Sequence, residues 1–130
     1  LRRLHREHGA KYNPNEIKLY VDASGASRKT SASRSDVQIL RSFGWRVLHN
    51  ASNPLVRDRI NAVNRALMRS VLYIDHQGCP FTVSCIEQQG FNEYGQPEKN
   101  GLDHANDALG YCISFRMPVM GRAPTSFKYA

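Results

Sequence analysis

A chain of 130 residues, 41% of them hydrophobic, has the size of one ordinary domain and can enclose a single core. Eighteen Lys and Arg against eleven Asp and Glu leave a formal charge of +7, which favours polyanionic partners such as nucleic acid, although a basic protein with no such partner has the same balance. No apolar run approaches the ~20 residues of a membrane-spanning helix, and the basic start Leu1-Arg2-Arg3 lacks the apolar stretch of a secretory signal.

The chain opens without Met and already in a helical register, so it reads as a fragment or a processed piece. Leu1 and Leu4 among Arg2, Arg3 and Arg6 predict a short amphipathic helix ended by Gly9, with His5 and His8 on its surface. After the Asn13-Pro14-Asn15 turn, Ile17, Leu19 and Val21 alternate with Lys18 and Tyr20, a strand pattern that delivers Asp22 at its carboxyl end. Residues 23–35, rich in Ser, Arg and Lys, read either as an exposed loop that contacts phosphates or as a plain surface loop.

Ser33 or Ser35 is suited to cap a helix through Val37, Ile39, Leu40 and Phe43, which Gly44 ends. Trp45, Val47 and Leu48 predict a second strand, and Asn53-Pro54 an N-cap and first-turn proline for the next helix. In that helix Val56, Ile60, Val63 and Leu67 form the expected core stripe, with Arg57, Asn61, Asn64 and Arg65 on polar faces. Residues 71–74 predict a third strand, 80–88 a short helix, 90–101 a hairpin or loop, and 103–115 a closing helix. Residues 117–130 read as a loosely ordered tail. Alternating strands and helices indicate an α/β domain with at least partly parallel strands, whose functional groups collect at carboxyl strand ends.

Cys79, Cys85 and Cys112 are odd in number and lack Cys-x-x-Cys spacing, so a reducing compartment and three small buried side chains are expected. His104 and Asp107 stand three apart on the closing helix and share one of its faces. Nitrogen and oxygen donors there suit a divalent metal, with Asp22 as a further ligand; the alternative is structural, with Asp103 as N-cap and Asp107 as a first-turn acid.

Four blocks of sequence resemble the nuclease domain of bacteriophage terminase large subunits, in the order that family shows them. They are Tyr20-Val21-Asp22-Ala23-Ser24-Gly25 with Arg28, Thr30, Ser31 and Ser35-Asp36; Asn53-Pro54 with residues 56–64; Tyr73-Ile74-Asp75 with Cys79; and Gly101-Leu102-Asp103-His104 with residues 107–111. The match runs from about Ile17 to Tyr111. It implies an RNase H-like mixed sheet flanked by helices, here without the family's first strands. It further implies an acidic cluster that binds two Mg²⁺ or Mn²⁺ ions and hydrolyses double-stranded DNA.

By this resemblance Asp22 matches the central-strand acid, Asp107 the helix acid and His104 its companion. Asp103 is the expected cap, and Asp75 is better read as structural. The family's first-strand acid has no counterpart here, so weak or absent cleavage is expected. Arg28, Lys29, Arg34, Arg57 and Arg65 are the expected contacts to double-stranded DNA. The resemblance places the protein in the cytoplasm of a bacterial host, with the phage portal and terminase small subunit as further partners. Rival readings are a non-catalytic basic DNA-binding module and a portal-docking piece. No Gly-rich Lys-Ser/Thr phosphate loop occurs, so the family's ATPase motor is absent from this sequence.

Overall fold

The computed structural model describes residues 16–27 and 33–119. The expected first helix, with His5 and His8, lies outside them, as do Arg28, Lys29 and most of the expected tail. Among the described residues the architecture is mixed α/β, with four α-helices and one pair of parallel strands. The chain divides after Asn53 into two compact units, each with its own core.

In the first unit β1 (Lys18–Tyr20) pairs in parallel with β2 (Arg46–Leu48), placing Leu19 opposite Val47. Parallel neighbours require a crossover, and α1 (Asp36–Ser42) supplies it. Of the two serines suited to start this helix, Ser35 does so through a capping box. Its hydroxyl accepts from the Gln38 N–H at 3.2 Å, and its own N–H donates to Gln38 Oε1 at 2.9 Å. Gly44 closes the helix at φ +83, a left-handed conformation that glycine adopts without a Cβ penalty. Val37 and Leu40 of α1 then meet Trp45 and Val47 in the core, with Ile17, Leu19, Val21 and Phe43 packed against them.

The second unit consists of α2 (Val56–Met68), α3 (Pro80–Gln88) and α4 (Asp103–Arg116). Its core joins Ala62 and Ala66 of α2 to Ile113 of α4, flanked by Val63, Leu72, Leu109, Met117 and Val119. The expected stripe of Val56, Ile60, Val63 and Leu67 is half-buried, and the buried line is instead Arg59, Ala62 and Ala66. Small side chains account for the difference. Ala62 and Ala66 on one helix and Gly110 on the other leave room for close approach, so the large apolar residues fall to the sides of the contact.

Three further expectations are corrected. Asn53 does not cap α2; Leu55 holds that position without a side-chain bond, and Asn53 Oδ1 accepts from the Ala23 N–H at 2.6 Å. Residues 71–74 are not a strand, because the N–H groups of Val71 and Leu72 donate back to Ala66 O at 3.1 and 3.2 Å and finish α2. Cys79 is exposed, whereas Cys85 is fully buried and Cys112 half-buried. Within residues 90–101 a single antiparallel bridge joins Phe91 to Pro97. No helix among the described residues is long and apolar enough to cross a membrane.

Candidate functional site

Val21 extends the parallel pairing beyond β1 by donating its N–H to Leu48 O at 3.1 Å, and Asp22 follows where the strand ends. The chain turns there into a 3-10 segment, Ala23–Ala26, which the Asp22 carboxylate caps. Its Oδ1 accepts from the Gly25 N–H at 3.2 Å and from the Ser24 hydroxyl. The strand-end location is as expected. The capping role was missed, although Asp-x-Ser-Gly is a spelling whose short polar side chains bond to nearby backbone in a turn.

In the second unit α4 carries His104 and Asp107 one turn apart, His104 exposed and Asp107 half-buried. Asp103 is not the N-cap; Leu102 takes that position, and Asp103 is the first helical residue. Its buried carboxylate turns back instead, accepting from the Gly101 N–H at 3.1 Å and from Lys99 Nζ at 3.1 Å. The Lys99 hydrogen bond holds the Asp103 carboxyl below its usual range against the opposing effect of burial. Asp103, with help from Asp107, raises Lys99.

Asp107 meets a guanidinium that sequence reading did not single out. Arg59 is 6% exposed, and its Nη2 lies 3.2 Å from Asp107 Oδ1. The other carboxylate oxygen, Oδ2, stands 4.0 Å from Lys99 Nζ, at the outer limit of an ion pair. The Tyr111 ring covers the guanidinium at 4.3 Å from its centroid, and the Arg59 stem packs on Gly110. The signal that could have revealed this residue is an arginine in phase with Ala62 and Ala66 on the small-residue side of α2.

A pocket of about 160 Å³ opens at this cluster, with Asp103, Asn106 and Asp107 on its polar side and Ile60, Phe91 and Leu109 on its apolar side. Concave sites with apolar walls and a few convergent polar groups are the usual location for ligands. Asp107 is therefore reachable from a pocket and not only from the helix surface.

As donors to a hard divalent ion, His104 fits through an exposed imidazole and Asp107 through Oδ2, the oxygen not engaged by Arg59. Among the described residues no three His, Cys, Asp or Glu side chains gather within ligand range. Asp22 belongs to the first unit, His104 and Asp107 to the second. Asp75 forms a turn, its Oδ1 accepting from the Gln77 N–H at 3.0 Å and its carbonyl from the Cys79 N–H at 2.8 Å.

The expected phosphate contacts differ in setting. Arg34 and Arg57 are exposed. Arg65 is half-buried, and its Nη1 donates to Val119 O at 3.1 Å, so this side chain also ties the end of the described chain to α2.

No protein-family model, no curated protein and no solved structure matches this chain.

Proposed function

We propose that this chain belongs to the nuclease domain of a bacteriophage terminase large subunit, an RNase H-like endonuclease domain that binds Mg²⁺ or Mn²⁺ and cuts double-stranded DNA during packaging. Four sequence blocks in family order support the reading. The observation that carries it is the position of Asp22, which follows β1 at the carboxyl end of a parallel pair, the place where ligands collect in open α/β sheets. When bound, the metal supplies an activated water and stabilises the leaving oxygen. Within the second unit Asp107 would offer a carboxylate oxygen and His104 a nitrogen, within the first unit Asp22 would offer a carboxylate, and the exposed Arg34 and Arg57 would hold phosphates.

The test is nicking of supercoiled plasmid in Mn²⁺, with EDTA and the variants Asp22→Asn and Asp107→Asn. Slow nicking is expected, abolished by EDTA and by either substitution. Nicking that survives EDTA or both substitutions removes the reading; because the first-strand acid has no counterpart here, a complete absence of nicking removes the activity of this chain and leaves its nuclease ancestry to be judged by Mn²⁺ binding that Asp107→Asn abolishes.

A second reading, a non-catalytic module that binds DNA through its basic residues, is favoured by one observation: Asp107 already has Arg59 as a counter-ion and Lys99 nearby. It predicts DNA binding that falls steeply with salt and is indifferent to EDTA, because counterion release and not metal coordination sets the affinity.

A further inference from the structure

We propose that Asn100 is a self-modification site, where the backbone nitrogen of Gly101 closes on the side-chain amide and converts the asparagine to aspartate and isoaspartate in the folded chain. The inference is independent of the nuclease reading and of any metal. Asn100-Gly101 is the one Asn-Gly step in the sequence, and both residues are exposed. A glycine after asparagine leaves the attacking nitrogen without a neighbouring Cβ. Gly101, at φ +90, also has nothing within 4 Å of the place a Cβ would take, so the approach is open.

The fold holds the reacting groups in place. Asn100 Oδ1 accepts from the Leu102 N–H at 3.2 Å, a turn that folds the side chain back over its own following peptide. The same N–H faces the oxygen on which negative charge grows as the ring closes. Gly101 N–H donates to the buried Asp103 carboxylate at 3.1 Å, and Leu102 is the N-cap of α4, so the peptide between Asn100 and Leu102 is anchored on the helix. Asn100 Nδ2, the group that must leave, donates to Glu98 Oε2 at 3.5 Å. Asn92 supplies a contrast within the same loop. Its Oδ1 accepts from the Tyr94 N–H at 3.0 Å in the same kind of turn, but the residue that follows is Glu93, whose Cβ crowds the nitrogen.

The step balances with water as the only co-reactant. Gly101 N bonds to Asn100 Cγ and gives its proton to solvent; the Cγ–Nδ2 bond breaks, and Nδ2 takes a proton from solvent and leaves as ammonia. Water then opens the succinimide at either carbonyl. Attack at Cγ leaves aspartate in an ordinary main chain, and attack at the main-chain carbonyl leaves isoaspartate, which inserts a methylene before Gly101 and draws its N–H away from Asp103. Either product adds a carboxylate next to Lys99.

The experiment ages the whole chain at mildly alkaline pH, native and unfolded in guanidinium chloride, and follows Asn100 by peptide mapping with mass spectrometry. An isoaspartate-specific methyltransferase counts the rearranged product. The native chain is held in a turn that the unfolded chain must find by chance, so conversion at Asn100 is expected to be no slower in the native protein than in denaturant. Asn100→Gln, which would need a larger ring, is expected to fold normally and to lose the conversion. Asn100 that persists as the amide in native protein, or that converts faster in denaturant, overturns the proposal and makes the turn protective. Equal conversion at Asn92 overturns the role given to Gly101. The isoaspartate fraction, separated by ion exchange, is expected to unfold at a lower temperature than the unmodified chain; an unchanged midpoint overturns the loss of the Gly101–Asp103 bond.

Discussion

Arg59 and Asp107 form an ion pair of unequal partners: the arginine side chain is 7% exposed and the aspartate 32%, with Nη2 and Oδ1 3.2 Å apart. The buried partner is the one without an alternative. Water can solvate Asp107 if the pair breaks, but it cannot reach two of the three guanidinium nitrogens.

Asp107→Asn should therefore destabilise the second unit as well as alter any chemistry there. Breaking a fully buried pair costs about 3–5 kcal/mol, and the partial exposure of Asp107 reduces the expected loss to about 2 kcal/mol. Arg59→Met combined with Asp107→Asn should recover most of it, because no uncompensated charge is left. Urea unfolding of the two single variants and the double variant measures this, and equal additive losses would show that the pair is not coupled.

Gly110→Ala should destabilise by about 1 kcal/mol even though alanine is the better helix former. The new methyl would lie 3.1 Å from the Arg59 Cβ, an atom fixed to the α2 backbone, so the contact must give by a few tenths of an ångström. Overpacking of about 1–3 kcal/mol outweighs the ~1 kcal/mol gain in helix propensity. A higher midpoint in thermal unfolding would show that α2 and α4 can separate without cost.

Ser35→Ala should cost about 1 kcal/mol, since it leaves the Gln38 N–H without its acceptor and removes half of the capping box. Loss of protection at the first amides of α1 in hydrogen exchange is the direct readout. Unchanged protection would mean that packing of Val37 and Leu40 alone holds the helix end.

Asp103 should make the second unit acid-sensitive. Its folded-state carboxyl lies below the ordinary value of 3.8, chiefly through Lys99, so its stabilisation is complete above 3.8 and is lost as pH falls from there through the lower folded value. Lys99 is raised above 10.5, so its half of the effect is present below 10.5 and fades as pH rises through the higher folded value. Lys99→Met should flatten both limbs in a plot of unfolding midpoint against pH; an unaltered acid limb would remove Lys99 as its cause.

Local signals were the legible part of this chain. Alternation at Ile17, Leu19 and Val21 marked β1, Ser35 and Gly44 bracketed α1, and Pro80 marked the start of α3, because each depends on neighbours within a few residues. The strand expected at residues 71–74 failed for a reason of the same kind read too simply: its apolar run is real, but its first amides are already spent on the end of α2. At the candidate site the types and spacing of His104 and Asp107 were legible, whereas Asp103 was given the wrong bond, the Gly101 amide lying before the helix and not within it.

Among the described residues the amino-acid order alone settled which segments become helix and where Asp22 and Asp107 lie along the chain's elements, since capping, periodicity and glycine conformation act over one or two turns. It did not settle which face of α2 is buried. That depended on the meeting of Ala62 and Ala66 with α4 and on Gly110 giving room to the Arg59 stem, contacts between residues about fifty positions apart. The pairing of Arg59 with Asp107 belongs to the same class: a charge is drawn to its partner only after packing has excluded water from it, and packing is a property of the folded chain.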